Sequence, residues 1–525
     1  MRGTTFLSQR GNKRDLTKYD EAIQSRPDDP QAYLARARAR RRLGRHKDAY
    51  ADFARVVRLD PANVEALLGM AAALRAIHNY EAAADQLEQA AAVAPQHPDV
   101  FTERGRLLVA AGKLDEALQE HRKALDIDPA RPVDLFAEAG IYLKQEKLNA
   151  ALAYLDKVLE LAPTAARALQ LRAVVHFRLG QFEEAFRDGA RLVKLEPQNA
   201  LAWHNAGVAL FEMGRPQEAV KYFDRALGVS KDNVQSLHYR GRVLLALDRS
   251  KEALADLTNA AKLKRDDTEI LDAYGEALIA QKEYARALEN DARILGRDKA
   301  HFRAHYRHGM ASRATHDFEQ AIVHLSQAIN LQPDFGPAYV ERARIHSVRA
   351  DRAAARSDLD AALRYGVADP LTLAWRGTMA LEDGDQQTAL ADFSRALDLQ
   401  PDMSDIRLKR AEIAFSLGDF KMAAADFGAV ARERPSDGGV IFNFGSASLE
   451  AGDFDNARKA FSRVLQLGAG DAETLLARAE AHLGMGALAD AERDCREAQR
   501  WAQGDTAVDQ VAEKLLAQVA AQQPR

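Results

Sequence analysis

The sequence predicts an all-α protein built as a linear array of helix pairs, and three observations carry that expectation. Prolines fall on a 34-residue ruler: Pro27, Pro61, Pro95, Pro129, Pro163 and Pro197, with Pro333, Pro401 and Pro435 in the same phase. Alanine recurs on that ruler in fourteen successive copies, from Ala49 and Ala83 to Ala491. Twelve residues before each of those alanines stands another small residue, Gly or Ala. A fixed period of this length marks a repeat architecture whose unit is one supersecondary motif.

With Pro30 as position 1, fourteen repeats run to Asp505 without insertion or deletion. Position 8 is the small residue, position 20 the alanine and position 32 the proline slot. Position 15 is often glycine, as in Gly44, Gly112, Gly180, Gly214, Gly384, Gly418, Gly452 and Gly486. A glycine there ends a first helix, since the residue just past a helix usually needs positive φ. Proline at 32 stops a second helix. The pattern predicts helix A over positions 2–14 and helix B over 17–30. Small residues at 8 and 20 let the pair approach closely, and bulky residues at 4, 11, 24 and 28 fill the space around them.

Composition agrees with a folded array. The chain has 525 residues, too many for one hydrophobic core, with 47% apolar and 29% charged residues. A net charge of −4 gives no electrostatic case for nucleic acid or anionic membrane as main partner. Cys495 is the only cysteine, so neither an internal disulfide nor a cysteine-based zinc site forms. The first fifteen residues lack the apolar run of a signal peptide, and no stretch approaches the ~20 apolar residues of a membrane span. The expected location is the cytoplasm, without membrane insertion.

Large at 4, small at 8, large at 11, Ala at 20, large at 24, small at 27 and Pro at 32 together resemble the tetratricopeptide repeat. The resemblance covers residues 30–505. It implies an α-solenoid, a right-handed superhelix of about fourteen helix pairs whose A helices line a concave groove, and partners that are peptides or proteins held there. The expected organisation is a flexible segment over 1–14, a half-repeat capping helix over 15–29, fourteen repeats over 30–505 and a capping helix over 506–525. In the last, Thr506 and Asp509 have capping-box spacing, and Val508, Val511, Leu515 and Val519 make the apolar stripe.

Position 7 departs from the family pattern. It is arginine in eight repeats: Arg36, Arg104, Arg172, Arg240, Arg342, Arg376, Arg410 and Arg478. Those same repeats alone carry an acid at 23: Asp52, Glu120, Asp188, Asp256, Asp358, Asp392, Asp426 and Asp494. Positions 7 and 23 are equidistant from the turn, so they face each other in an antiparallel hairpin. A guanidinium takes a carboxylate bidentately, which locks two helices together. This structural role competes with a row of ligand-binding arginines.

The resemblance places positions 2, 5, 9, 12 and 13 near the groove. Arg38, Arg41, Arg42, Arg75, Arg106, Lys144, Arg167 and Arg178 make its N-terminal end basic, summing to +6 over repeats 1–7. Repeats 9 and 10 add Arg303, Arg313 and Arg344, while repeats 11–14 sum to −6. Such a polarity either orients an extended partner or belongs to a solvated face. Phe136, Leu143, Phe177, His204, Phe211, His238 and Leu245 form an aromatic and apolar strip across repeats 4–7, with a second at Phe415, Phe442 and Leu449. The strips are either anchors for a partner or packing between neighbouring A helices.

No catalytic signature occurs: no P-loop, GxGxxG, GxSxG, HExxH or EF-hand loop. No cofactor is implied. His308 and His324 fill positions 7 and 23 of repeat 9, with His305 one helical turn away. They read as a neutral hydrogen-bonded pair replacing Arg–Asp, with a three-histidine metal site as the alternative. Two family sites are unsupported. The chaperone-tail clamp needs asparagine at position 9, where none stands. The asparagine ladder of O-GlcNAc transferases has only Asn205 and Asn443 at position 6, and the catalytic region is missing. The expected function is a non-catalytic protein-interaction scaffold or adaptor. The alternative is a non-catalytic targeting subunit of an enzyme or envelope-associated complex.

Overall fold

The computed structural model describes residues 16–502 and 505–522, and every regular element among them is an α-helix. A helix over residues 16–25 comes first, with Leu16 buried. Two helices then occupy each 34-residue period, from Pro30–Arg42 and His46–Leu59 to Ala472–Gly484 and Leu488–Ala502. Thr506–Gln522 ends the described chain. The architecture is an all-α solenoid of antiparallel helix pairs. The segment 1–14, expected to be flexible, lies outside the described residues. The chain divides into two compact units, with the boundary between Ala277 and Leu278, inside helix Thr268–Ala280.

Helix A spans positions 1–13, one residue earlier than the sequence pattern suggested. The cause lies in the cap. Asn63, Asn199, Asn233 and Asp437, at position 34, accept a hydrogen bond from the N–H three residues on. Pro30, Pro98, Pro132 and Pro370 stand at the first helical position, where a missing N–H is harmless.

The turn at position 15 is left-handed in all fourteen repeats. Eight use glycine, for example Gly112 with φ 80°; six use other residues, His78, Glu146, Asp248, Lys282, His316 and Ala350, with φ between 57° and 63°. A side chain at this φ costs about 1–2 kcal/mol relative to glycine. We therefore expect Ala350→Gly to stabilise the second unit by roughly 0.5–1 kcal/mol, and Gly112→Ala to destabilise the first by about 1 kcal/mol. A Cβ at Gly112 would meet nothing within 4 Å, so only backbone strain is at issue. Urea unfolding checks both, and equal midpoints for Ala350→Gly and the parent would remove the strain account.

All fourteen position-20 alanines are buried, none more than 4% exposed. At position 8 the fit is equally close. A Cβ added to Gly207, Gly377 or Gly445 would lie 2.8–3.0 Å from Phe223, Phe393 or Phe461 at position 24 of the facing helix. Those three rings are fully buried.

Seven of the eight position-7 arginines grip the position-23 acid with two bonds, Nε to one carboxylate oxygen and Nη2 to the other. In Arg240–Asp256 they measure 2.6 and 2.7 Å. The eighth pair does not form. Glu120 bonds Lys123 at 2.6 Å, and no bond joins it to Arg104 among the described residues. Every pair that forms uses aspartate; the extra methylene of Glu120 carries its carboxylate past the guanidinium edge.

The third donor of each guanidinium reaches out of its own repeat. Nη1 bonds position 25 of the preceding B helix: Arg36 to Asp20, Arg172 to Asp156, Arg240 to Asp224 and Arg376 to Asp360, at 2.6–2.8 Å. In Arg342, Arg410 and Arg478 the acceptor is Ser326, Ser394 and Ser462. Each arginine thus joins three helices, and its pKa is raised chiefly by the hydrogen bond to the position-23 aspartate. Repeat 4 reverses the charges. Glu138 stands at position 7, fully buried, and Arg122 at position 25 before it, with Nε 4.0 Å from the carboxylate. In repeat 9, where histidines replace the pair, Arg307 bonds Asp291 of the preceding B helix at 2.7 Å.

Removing one partner of a buried pair leaves an uncompensated charge, whereas removing both does not. Arg240→Ala strands the Asp256 side chain, 9% exposed. It should cost about 3 kcal/mol, and Arg240→Met with Asp256→Leu much less. Chemical denaturation of the three proteins decides; equal losses in single and double variants would sink the clamp.

The last helix buries Val508, Ala512, Leu515 and Val519 and packs on Leu475, Leu476, Cys495 and Ala498. Val511, expected in the stripe, is 46% exposed, and Ala512 takes its place. The cap is also one residue earlier than expected. Asp505 Oδ1 accepts from Ala507 N at 2.9 Å, so Asp505 rather than Thr506 caps the helix.

Candidate partner-binding surface

The basic positions of the first unit are less free than their sum suggests. Arg38 is paired with Glu65 of the next repeat. Arg75 and Arg106 both bind Glu103, a position-6 acid outside the five positions summed. Arg178 pairs with Glu146, at the turn. Arg41 and Arg42 remain exposed at the end of helix Pro30–Arg42. Two of the six net positive charges are therefore neutralised by neighbours at positions 6 and 15, Glu103 and Glu146.

The aromatic strip divides. Phe136 and Leu143 pack against the core formed by Leu135, Ile141 and Leu155. His204 and His238 are each 7% exposed. His204 Nδ1 lies 3.1 Å from Ser236 Oγ, and its ring sits between Phe223 and Tyr239 at centroid distances of 5.6 and 5.4 Å. Burial, and secondarily His238, pushes the His204 imidazole down to about 4. Phe177 is half-buried, edge-on to Phe182 at 5.2 Å, and Phe211 is half-buried.

Between the A helices Ala166–Arg178, Ala200–Glu212 and Val234–Ala246 lies a cavity of about 220 Å³. Val174, Phe177, His204, Asn205, Val208 and Tyr239 line it. The second unit has a cavity of about 370 Å³ in the same register, lined by Glu412, Phe415, Phe427, Phe442, Asn443 and Ser446. Phe177 and Phe415 stand at position 12; Asn205 and Asn443 stand at position 6 of the following repeat. Neither carboxamide makes a side-chain hydrogen bond among the described residues. Both are absent from the residues expected at the site. The signal was present in the sequence: each follows a position-12 phenylalanine by one repeat.

The histidines of repeat 9 are close together but do not converge, and the bond expected between His308 and His324 runs instead from His305 to His324, because the other two rings stack. His305 Nδ1 is 3.0 Å from His324 Nδ1, and the His308 and His324 rings stack at 3.9 Å. Stacked rings present faces to each other, whereas metal binding needs in-plane lone pairs aimed at one point. Among the described residues no group of three His, Cys, Asp or Glu is placed to hold a metal ion. Burial pushes His308 down, and pushes His324 down to about 4.

Profiles of the tetratricopeptide repeat match residues 1–64, 136–191, 340–404 and 376–438, residues 40–107 and 448–515, and residues 200–233. Together they span more than half of the chain. The chain belongs to the tetratricopeptide repeat family. Repeats 7–9, over 234–335, fall outside every match, yet their helices keep the 34-residue register. A family of this kind supports a protein-interaction scaffold role. No curated protein matches. Among solved structures, a chain of the APC/C hetero-tetramer Cut9–Hcn1 is similar at 14% identity and a TM-score of 0.35, covering 93% of this chain and 98% of that one. PilF of Pseudomonas aeruginosa is similar at 16% identity and a TM-score of 0.36, covering 43% and 99%. MamA residues 41 to the end, from Desulfovibrio magneticus RS-1, is similar at 18% identity and a TM-score of 0.31, covering 32% and 95%. No described helix is long and apolar enough to cross a membrane.

His204 gives the cavity wall a pH dependence. Its folded pKa of about 4 lies below its ordinary value of 6.5, so the unfolded chain binds the extra proton between those limits. Stability is complete above pH 6.5 and falls as pH drops toward 4. Between pH 7 and 5 the loss at His204 is about 2 kcal/mol. Thermal unfolding at the two pH values should show this loss shrinking in His204→Asn; an unchanged pH dependence would remove His204 as the cause.

Proposed function

We propose that the chain is a non-catalytic, cytoplasmic scaffold or adaptor that holds extended segments of protein partners along the exposed face of its A helices. The observation that carries this reading is the cavity at Phe177, His204 and Asn205. It combines an aromatic wall, an unpaired carboxamide and neutral, buried histidine in one recess between three successive A helices. An apolar side chain of a partner would enter the recess, desolvated against Phe177 and Val208, while Asn205 bonds its backbone. The register-equivalent recess at Phe415 and Asn443 would serve a second segment. Arg41 and Arg42 would add a cationic rim, which governs approach more than final affinity.

A photo-crosslinking residue placed at Phe177 or Phe415, and separately at Lys194 on an exposed B-helix surface, tests the reading with a pool of random decapeptides. Labelling from 177 and 415 should exceed that from 194 by about tenfold, the ratio a 1.4 kcal/mol preference produces. Equal labelling at all three positions would reject the A-helix face as the binding surface.

A further inference from the structure

Three successive A helices of the second unit, Phe302–Ala314, Gly336–Val348 and Pro370–Glu382, enclose a cavity of about 370 Å³. Its walls are Arg313, His316, Phe318, Arg344, Val348 and Trp375. Glu341, mostly buried, ties the two arginines together through their Nε atoms: 2.7 Å to Arg313 and 3.4 Å to Arg344. The Nη groups of both guanidiniums have no protein partner among the described residues. Arg344 lies over the Trp375 ring at 5.9 Å. A guanidinium held over an aromatic face is attracted by the ring without using any of its hydrogen-bond donors. Beside it Val348 is 67% exposed.

The first unit contains the same triad on the same register. Arg75, Glu103 and Arg106 stand at positions 12, 6 and 9, as Arg313, Glu341 and Arg344 do. There each arginine spends a terminal Nη group on Glu103. The next position-6 residue is Ala137, where the second unit has Trp375. One copy is thus closed on its own carboxylate and has only a methyl where a platform would stand. The other copy is held from behind, leaves two guanidinium edges open and adds an aromatic platform.

We propose that this cavity binds an acidic side chain of a partner peptide, with the residue beside it, apolar, packed on Trp375 and Val348. Two guanidiniums set against one carboxylate leave a net positive charge that an aspartate or glutamate neutralises. Arg344 and Arg313 supply the planar edges for that carboxylate. Trp375 lies within cation–π reach of Arg344 and gives the neighbouring side chain a surface to bury. The proposal rests on the reading of the A-helix face as a peptide-binding surface, and names the chemistry of one segment it takes.

The test pans the full chain with displayed random decapeptides and sequences what is retained. The expected result is enrichment of Asp or Glu next to an aliphatic or aromatic residue. That enrichment should vanish in Arg344→Gln, which keeps a polar, half-exposed side chain and the fold, and in Trp375→Leu. It should persist in Phe177→Ala. For a synthetic copy of an enriched peptide, Arg344→Gln and the peptide's Glu→Gln should each weaken binding about tenfold, and together scarcely more than either alone. Retained peptides without acidic enrichment, or acidic enrichment that survives Arg344→Gln, would overturn the proposal. If the retained peptides depend on Phe177 but ignore Arg344, this site falls and the binding surface stands. If nothing is retained, both fall.

Discussion

Fourteen alanines hold this chain together at one position. Each position-20 methyl is buried, and at Gly207, Gly377 and Gly445 the missing side chain at position 8 makes room for the phenylalanine at position 24. With helices this near, an aromatic ring from one side fills the space a side chain from the other vacates, as Phe223 does over Gly207. Packing at crystal-like density leaves no room for a methylene more. Everything outward of that seam is consequently fixed in place: the turn at 15, the arginines at 7 and the recesses between adjacent A helices. A binding surface built on such pairs is rigid before any partner arrives, which limits the ordering cost of association.

The seam was legible in the sequence because it is periodic. Length, phase, helix positions and the small-residue slots follow from counting. The Arg–Asp pairs were legible for the same reason, since both members lie in one repeat and vary together. What lies between repeats was harder to read. The bond from Arg240 to Asp224 links position 7 to position 25 of the previous repeat, and only the stacking of one pair on the next brings them together. Glu120 looked equivalent to seven aspartates, yet its longer side chain misses Arg104. Local chemistry at the ends was similarly blurred: Ala512 instead of Val511 faces the core.

The binding surface was only partly legible. Summing charge at five positions overstated the positive field of the first unit, because Glu103 and Glu146 sit outside those positions and reach the arginines. The recess around Phe177 was half visible, as an aromatic strip, but its carboxamide was not. Asn205 matters through what stands one repeat earlier, and a reading organised by single repeats is blind to that relation. The Arg313–Glu341–Arg344 triad has the same character. Its three residues span two repeats, and its platform, Trp375, comes from a third.

The reversed pair at repeat 4 has a meaning for assembly of the fold. Stacked units with the same period are, to a first approximation, interchangeable neighbours, and a growing array can pair a helix with the wrong repeat. At the other clamped junctions a basic position 7 meets an oxygen acceptor at position 25. At this one Arg122 stands where the acceptor belongs and Glu138 where the base belongs. A slip by one repeat in either direction would set Arg122 against Arg104 or Arg172 in place of Glu138. Glu138 would then meet Glu88 or Asp156, neither of which answers its charge. The inversion makes one junction incompatible with its neighbours, so a slip of one repeat there sets like charges together.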